Sequence, residues 1–447
     1  MMRCFDSFSQ LRPSARFYRV GAIPLACLLA MTSLAGCSED KPKLVGDRRP
    51  VFTTPALQAD ETAGLNPLQL ADPTRPAAWM GYGGQGDQAP QHLAWSGQWT
   101  TPRWQAAIGS GSQKDKVLLV SQPTSMGGAV FTLDSQGIVQ ATNLNDGGQL
   151  WRQKSVTDGG DAVAQGGLVL TDRLVIAVLG DGQVRALNQS DGAVVWQQRL
   201  PNPVRLSPQA DDGHVYVATI DNSLYALNLS DGRITWETRG LGEKARLLRP
   251  GSLTLTRDLL LLPTSTGSLL AVQPTTGRRL WEISLADDQR GDLIAALPGV
   301  VAPAVLADGV VYAAGFSNRL VALQARSGQA IWQASLGSAA TPWISGNMMY
   351  VVTPDGQVTC LFRSNGKIRW VKKLPEGNGD GVTVWFTPTL VDNQLLLANQ
   401  RGQVVALSPF NGDEIAQHKI DGGLASAPIV AGGNLLWLTA NGRLVAY

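Results

Sequence analysis

Charge is scarce in this sequence. Only 16% of its 447 residues are Asp, Glu, Lys or Arg, and they nearly cancel, to a formal net charge of +2. No basic stripe is available to neutralise phosphates, which argues against nucleic acid as a partner. Histidine is rarer still: His92, His214 and His418 share no metal-ligand spacing, and no metal site is expected. The apolar run Val20–Leu34 is too short, and ends too abruptly, for a comfortable membrane span. Preceded by Arg3, Arg12, Arg16 and Arg19, it reads instead as the core of a signal peptide over residues 1–36.

Cysteine is also sparse, at Cys4, Cys27, Cys37 and Cys360. The stretch L-A-G-C, Leu34 to Cys37, places small residues before a Cys at the end of the apolar run and resembles the bacterial lipobox. In that motif the thiol is acylated and the Cys becomes the mature N-terminus. Cys37 is therefore the expected lipidation site. Processing there removes Cys4 and Cys27 and leaves Cys360 as the one thiol, so no disulfide is expected. Residues 37–90 are rich in Pro, Gln, Asp, Ala and Gly without sustained alternation and read as a flexible tether. Trp79 to Gly84 (W-M-G-Y-G-G) departs from that composition and is a candidate to dock on the domain that follows.

What the sequence has in abundance is Gly, 49 residues, and Trp, 13, arranged in a repeat. Two successive alternating runs separated by turns end in a Trp, as in G-Q-V-R-A-L-N-Q-S-D-G-A-V-V-W to Trp196 and N-S-L-Y-A-L-N-L-S-D-G-R-I-T-W to Trp236. Further copies end at Trp151, Trp281, Trp332 and Trp370, and a seventh at Ala416, where the Trp is missing. The turn residues Gly137, Gly182, Asn222, Gly267, Asn318, Gly356 and Gly402 each stand ten positions before a second turn Gly, from Gly147 to Gly412. Such residues adopt the positive φ that tight hairpins need. Two hairpins per repeat, at a period of 38 to 51 residues, give about four strands per unit, which is a propeller blade.

Ten residues before each Trp stands a small partner: Ala141, Ala186, Ala226, Ala271, Ala322 and Cys360, with Ala406 in the copy that has lost its Trp. A small and a large residue at constant spacing mark a repeated packing unit, which makes Cys360 a buried, inert thiol in an Ala slot. The final N-G-R-L-V-A-Y supplies half a motif, and R-W-Q-A-A-I-G-S around Trp104 matches I-W-Q-A-S-L-G-S around Trp332. Residues 91–447 are therefore expected to form an all-β, eight-bladed β-propeller of four-stranded antiparallel blades, its ring closed by the N-terminal strand bearing Trp104. Trp343, Trp385 and Trp437 lie outside this register and suit either a funnel mouth or core packing.

The A-x-N-x-x-D-G-x-x-x-W pattern ending at Trp196 and Trp236 resembles the tryptophan-docking repeat of pyrroloquinoline-quinone dehydrogenases. With the lipobox and eight compact blades, the whole chain more closely resembles the BamB family, lipoproteins of the outer-membrane β-barrel assembly machinery. That resemblance implies a lipid-anchored protein on the periplasmic face of the outer membrane, an address to which Ser38 after the Cys also points. It implies no enzyme activity and no cofactor. Its implied partners are a POTRA domain of a BamA-like outer-membrane insertase and unfolded outer-membrane proteins. The family grips its partner with an L-x-L-R stretch; the matching place here is R-L-L-R, making Leu247, Leu248 and Arg249 the partner-binding candidates. Arg246 and Pro250 depart from the pattern, and the acidic residues the family carries before its next blade are missing from Leu297 to Pro303. The alternatives are a quinone-binding dehydrogenase and a ligand-binding propeller lipoprotein. The dehydrogenase reading calls for carboxylates beside a calcium ion and an adjacent Cys pair. No such pair is present, and Asp211–Asp212 and Asp287–Asp288 read as solvated turns; no catalytic residue is assigned.

Overall fold

Gly and Asp at fixed offsets close each hairpin, and β-branched and leucine residues fill the strands between them. A computed structural model describes residues 56–65, 67–87, 89, 92–98, 101–112, 121–154, 166–204, 206–240, 251–286, 302–316, 318–376 and 382–447. Cys37, and the loop holding Arg246, Leu247, Leu248, Arg249 and Pro250, lie outside the described residues, as do Asp287–Asp288 and most of Leu297 to Pro303.

The described residues form eight four-stranded antiparallel sheets. Blades one to eight begin with the strands Thr124–Met126, Gly166–Leu170, Gln209–Ala210, Thr254–Leu255, Val305–Ala307, Trp343–Ser345, Thr389–Val391 and Ile429–Ala431. These short first strands are the innermost. They are nearly all buried, they approach one another between neighbouring blades, and Ser207 bridges to Ser252 beside two of them. The middle strands are buried on both faces. The fourth strands, such as Val194–Arg199 and Arg279–Ser284, alternate with solvent and form the outer edges.

Blade eight is assembled from both ends of the sequence. Its fourth strand, Trp104–Ala107, pairs antiparallel with Arg443–Ala446, setting Trp104 opposite Ala446 and Ala107 opposite Arg443. This closure pairs an edge that would otherwise stay open between the first and last blades.

The tether expected as far as Pro90 is corrected by the structure. Leu57 already belongs to the same compact unit as the blades. The amide of Asp60 donates to the carbonyl oxygen of Ile368, and a 3-10 turn at Glu61–Leu65 follows, with Ala63 fully buried. The segment shows no alternation in sequence because it makes isolated bridges, Thr74 with Leu93, Trp79 with Ser125 and Leu93 with Val391, rather than a continuous strand.

Candidate functional site

Every repeated Trp sits in one geometry. Across each blade runs a row of three residues with the small one in the middle: Tyr216, Ala226, Trp236 in blade three and Tyr350, Cys360, Trp370 in blade six. The small side chain leaves space for the flanking rings to meet, at centroid separations of 5.9 Å for Tyr216–Trp236 and 6.1 Å for Tyr350–Trp370. A β-bulge follows the small residue, between Ala226 and Leu227 and between Cys360 and Leu361, and re-aims the outer strand.

The indole then reaches into the next blade. Trp104 Nε1 donates to the Leu144 carbonyl oxygen at 3.0 Å, Trp151 to Gln189 at 2.8 Å, Trp196 to Leu229 at 2.8 Å and Trp236 to Pro274 at 2.9 Å. Trp281 to Ala325 and Trp332 to Arg363, both at 2.8 Å, and Trp370 to Pro409 at 3.1 Å complete the set. Each seam between consecutive blades thus carries one apolar plate with one hydrogen bond at its edge, except the seam after blade seven. There Ala416 faces Ala406, and the blade beyond has outer strands drawn from opposite ends of the fold, with no hairpin to dock upon. His418 meets Tyr447 edge-on at 5.9 Å in that region instead.

Cys360 is buried, and burial pushes its thiol well above the ordinary range, with smaller opposing effects from Tyr350 and Arg369. Asp211 lies in a turn: its Oδ1 accepts the amides of Gly213 and His214 at 2.8 and 2.7 Å, and its Oδ2 accepts the Tyr216 hydroxyl at 2.7 Å. Burial, reinforced by the Asp211 charge, raises the Tyr216 phenol. No cluster of three or more His, Cys, Asp or Glu suited to a metal ion occurs among the described residues. Trp343, Trp385 and Trp437 are 5%, 7% and 0% exposed, which makes them core residues.

Sequence reasoning did not assign the interior of the ring. Tyr82 meets the hydroxyls of Thr387 and Thr341, residues that lead into the innermost strands of blades seven and six, and burial raises its phenol. His92 is buried: its Nδ1 donates to the Ala71 carbonyl oxygen at 2.7 Å and its Nε2 accepts the Asn393 amide at 3.0 Å. The one signal for this in the sequence is the aromatic and Gly content of W-M-G-Y-G-G.

The repeated seams and the split blade define the class: an eight-bladed propeller of tryptophan-docking repeats. Residues 135–372 match the family described as outer membrane protein assembly factor BamB, and the chain belongs to that family. Among its relatives, outer membrane protein assembly factor BamB of Yersinia pestis is 27% identical over 356 residues, covering 78% of this chain and 88% of the relative. The Escherichia coli K12 protein of the same name is 29% identical over 352 residues, covering 77% and 88%. The crystal structure of BamB from Moraxella catarrhalis aligns with a TM-score of 0.63 at 18% identity, over 76% of this chain and 98% of that one. The quinohemoprotein alcohol dehydrogenase of Comamonas testosteroni also scores 0.63, at 13% identity, over 83% and 80%. Likeness at those identities establishes the fold alone; the family assignment rests on the sequence match.

Proposed function

We propose that this chain is a non-enzymatic scaffold lipoprotein of the outer-membrane β-barrel assembly machinery. Cys37 carries the acyl anchor on the periplasmic face of the outer membrane. The loop with Leu247, Leu248 and Arg249 binds a POTRA domain of a BamA-like insertase, and the complex assists insertion of unfolded outer-membrane proteins. The observation that carries this reading is the family match, reinforced by relatives named as assembly factors that align over most of both chains. A propeller suits the role. Its seams make a rigid ring, its inter-blade loops are free to vary, and POTRA domains are small mixed sheets whose edges can accept loop contacts or strand addition.

The competing dehydrogenase reading is supported by fold likeness and the shared docking repeat, both of which describe the scaffold, and the sequence lacks the adjacent Cys pair expected beside the quinone. The deciding experiment is affinity capture from gently solubilised membranes. A BamA-like chain is the expected co-purifying partner. Its absence, together with stoichiometric uptake of pyrroloquinoline quinone and calcium by the purified protein, would replace the scaffold reading with the enzymatic one.

A further inference from the structure

The innermost strands of a propeller present an unpaired edge toward the channel, and their amides need partners wherever water does not supply them. Here those partners come from the chain itself. Trp79 and Ser125 of blade one exchange both backbone hydrogen bonds, at 2.7 and 2.8 Å. The Leu170 amide of blade two donates to the Met80 carbonyl oxygen at 2.7 Å, Leu255 of blade four to Gly86 at 2.7 Å, and Leu306 of blade five to Asp87 at 3.0 Å. At blade six the Asn347 amide donates to Gln69, and the Ala71 amide to Ser345 Oγ at 3.1 Å. At blade seven Leu93 donates to Leu390 at 3.0 Å and accepts from Asp392 at 2.9 Å. Trp95 Nε1 reaches the Tyr447 carbonyl oxygen of blade eight at 3.4 Å.

Most of these contacts fall at the same end of the innermost strands. Leu170, Leu255 and Ser345 are the last residues of theirs, and Asn347 and Asp392 lie in the turns that follow. The contacting segment is itself shaped for the space. Met80 and Gly84 close a tight turn with Gly81, Trp79 is folded against Gly84, and Gly83 donates to the Gln122 side chain at 2.8 Å. Gln122 in turn reaches the Ala427 carbonyl oxygen ahead of blade eight. A Cβ on Gly86 would lie 2.7 Å from the Leu255 carbonyl oxygen, so this approach admits no side chain.

We propose that Gln69–Asp87 together with His92–Trp95 form an internal strap. It closes the end of the channel at which each blade makes its first hairpin, and it ties the innermost strands of blades one, two, four, five, six and seven to one another. The ring then has two closures, the outer one at Trp104–Ala107 and this inner one. The strap bars any ligand or peptide from threading the propeller from that face. It is independent of the assembly role proposed above.

The test is hydrogen exchange read by mass spectrometry on the full mature chain, comparing wild type with Gly86→Val and Trp79→Ala. In wild type, peptides containing the strap amides of Trp79, Gly84, Leu93 and Ala94 are expected to exchange at least tenfold more slowly than an unstructured segment. In both variants, peptides containing Leu170, Leu255 and Leu306 are expected to exchange at least tenfold faster, while the outer strands Val194–Arg199 and Arg279–Ser284 keep their protection. Strap amides exchanging at the unstructured rate in wild type would overturn the proposal, as would innermost strands unaffected in both variants. Should a variant lose protection everywhere, the wild-type measurement still decides.

Discussion

Gly232 lies directly beneath Trp196 across the seam between blades two and three: a Cβ on Gly232 would stand 2.5 Å from the indole Cε3. Its φ of +74° is also one that side chains resist. The turn Gly is therefore both the hairpin's hinge and the floor on which the plate rests. Trp196→Ala should cost about 3–5 kcal/mol, as for other large buried aromatics, and Trp236→Ala a similar amount. Denaturant titration checks both. Gly232→Ala should be strongly destabilising alone and less so in the Trp196→Ala background, because the collision has gone and only the φ strain stays. Strictly additive effects would show that plate and floor are not coupled.

Ala416 explains itself by the same geometry. A docking Trp needs a hairpin in the next blade to supply its floor and its carbonyl acceptor, and the outer strands of blade eight, Arg443–Ala446 and Trp104–Ala107, have no connecting turn. Restoring the repeat with Ala416→Trp should leave the melting temperature unchanged or lower. A rise comparable to the loss from Trp196→Ala would mean that the last seam contains an unfilled docking site.

The Ala slot at Cys360 predicts both chemistry and pH behaviour. The thiol should resist thiol reagents in the folded protein and react on unfolding, and Cys360→Ala should cost less than about 1.5 kcal/mol. Because burial raises the folded thiol's pKa above the ordinary value of about 8.5, stability is complete below that pH. It declines above it, as the unfolded chain releases a proton that the folded chain retains. The gap in stability between wild type and Cys360→Ala should therefore narrow from pH 8 to pH 10, a range chosen as roughly bracketing that value. A constant gap across that range would place the thiol in contact with water.

Anchoring through Cys37 predicts that Cys37→Ala leaves the signal uncleaved or releases the protein from the membrane fraction, since stable attachment takes more than one acyl chain or an equivalent second signal. A processed, membrane-bound mutant would be incompatible with lipidation at this residue.

For the partner loop, Arg249→Glu and Leu248→Asp should each weaken capture of the BamA-like POTRA domain by about 2 kcal/mol or more, the scale of an interface hot spot. Melting temperature should be almost unchanged. Undiminished capture by both mutants at low salt would move the interface elsewhere, whereas loss of folding would assign the loop to packing.

Blade number and the Trp seams were legible in the sequence because each is set by local spacing, and the ring closure because the last motif is a half unit that lacks its outer strand. A hairpin needs its turn residues a fixed distance apart, and a row such as Tyr350, Cys360, Trp370 needs its small member between two rings. Even Trp104 could be matched, by its likeness to the strand at Trp332. Two things required the tertiary structure. The absence of a plate at Ala416 has meaning only once each Trp is seen to rest on the turn between the third and fourth strands of the next blade, a turn that the split blade eight lacks. The path of residues 57–95 left no periodic trace, because Leu93 beside Val391 and Trp79 beside Ser125 are single bridges to strand edges that the closed ring alone brings within reach. Periodicity records contacts repeated along the chain; a segment that meets successive blades only at isolated points is written only in the assembled ring.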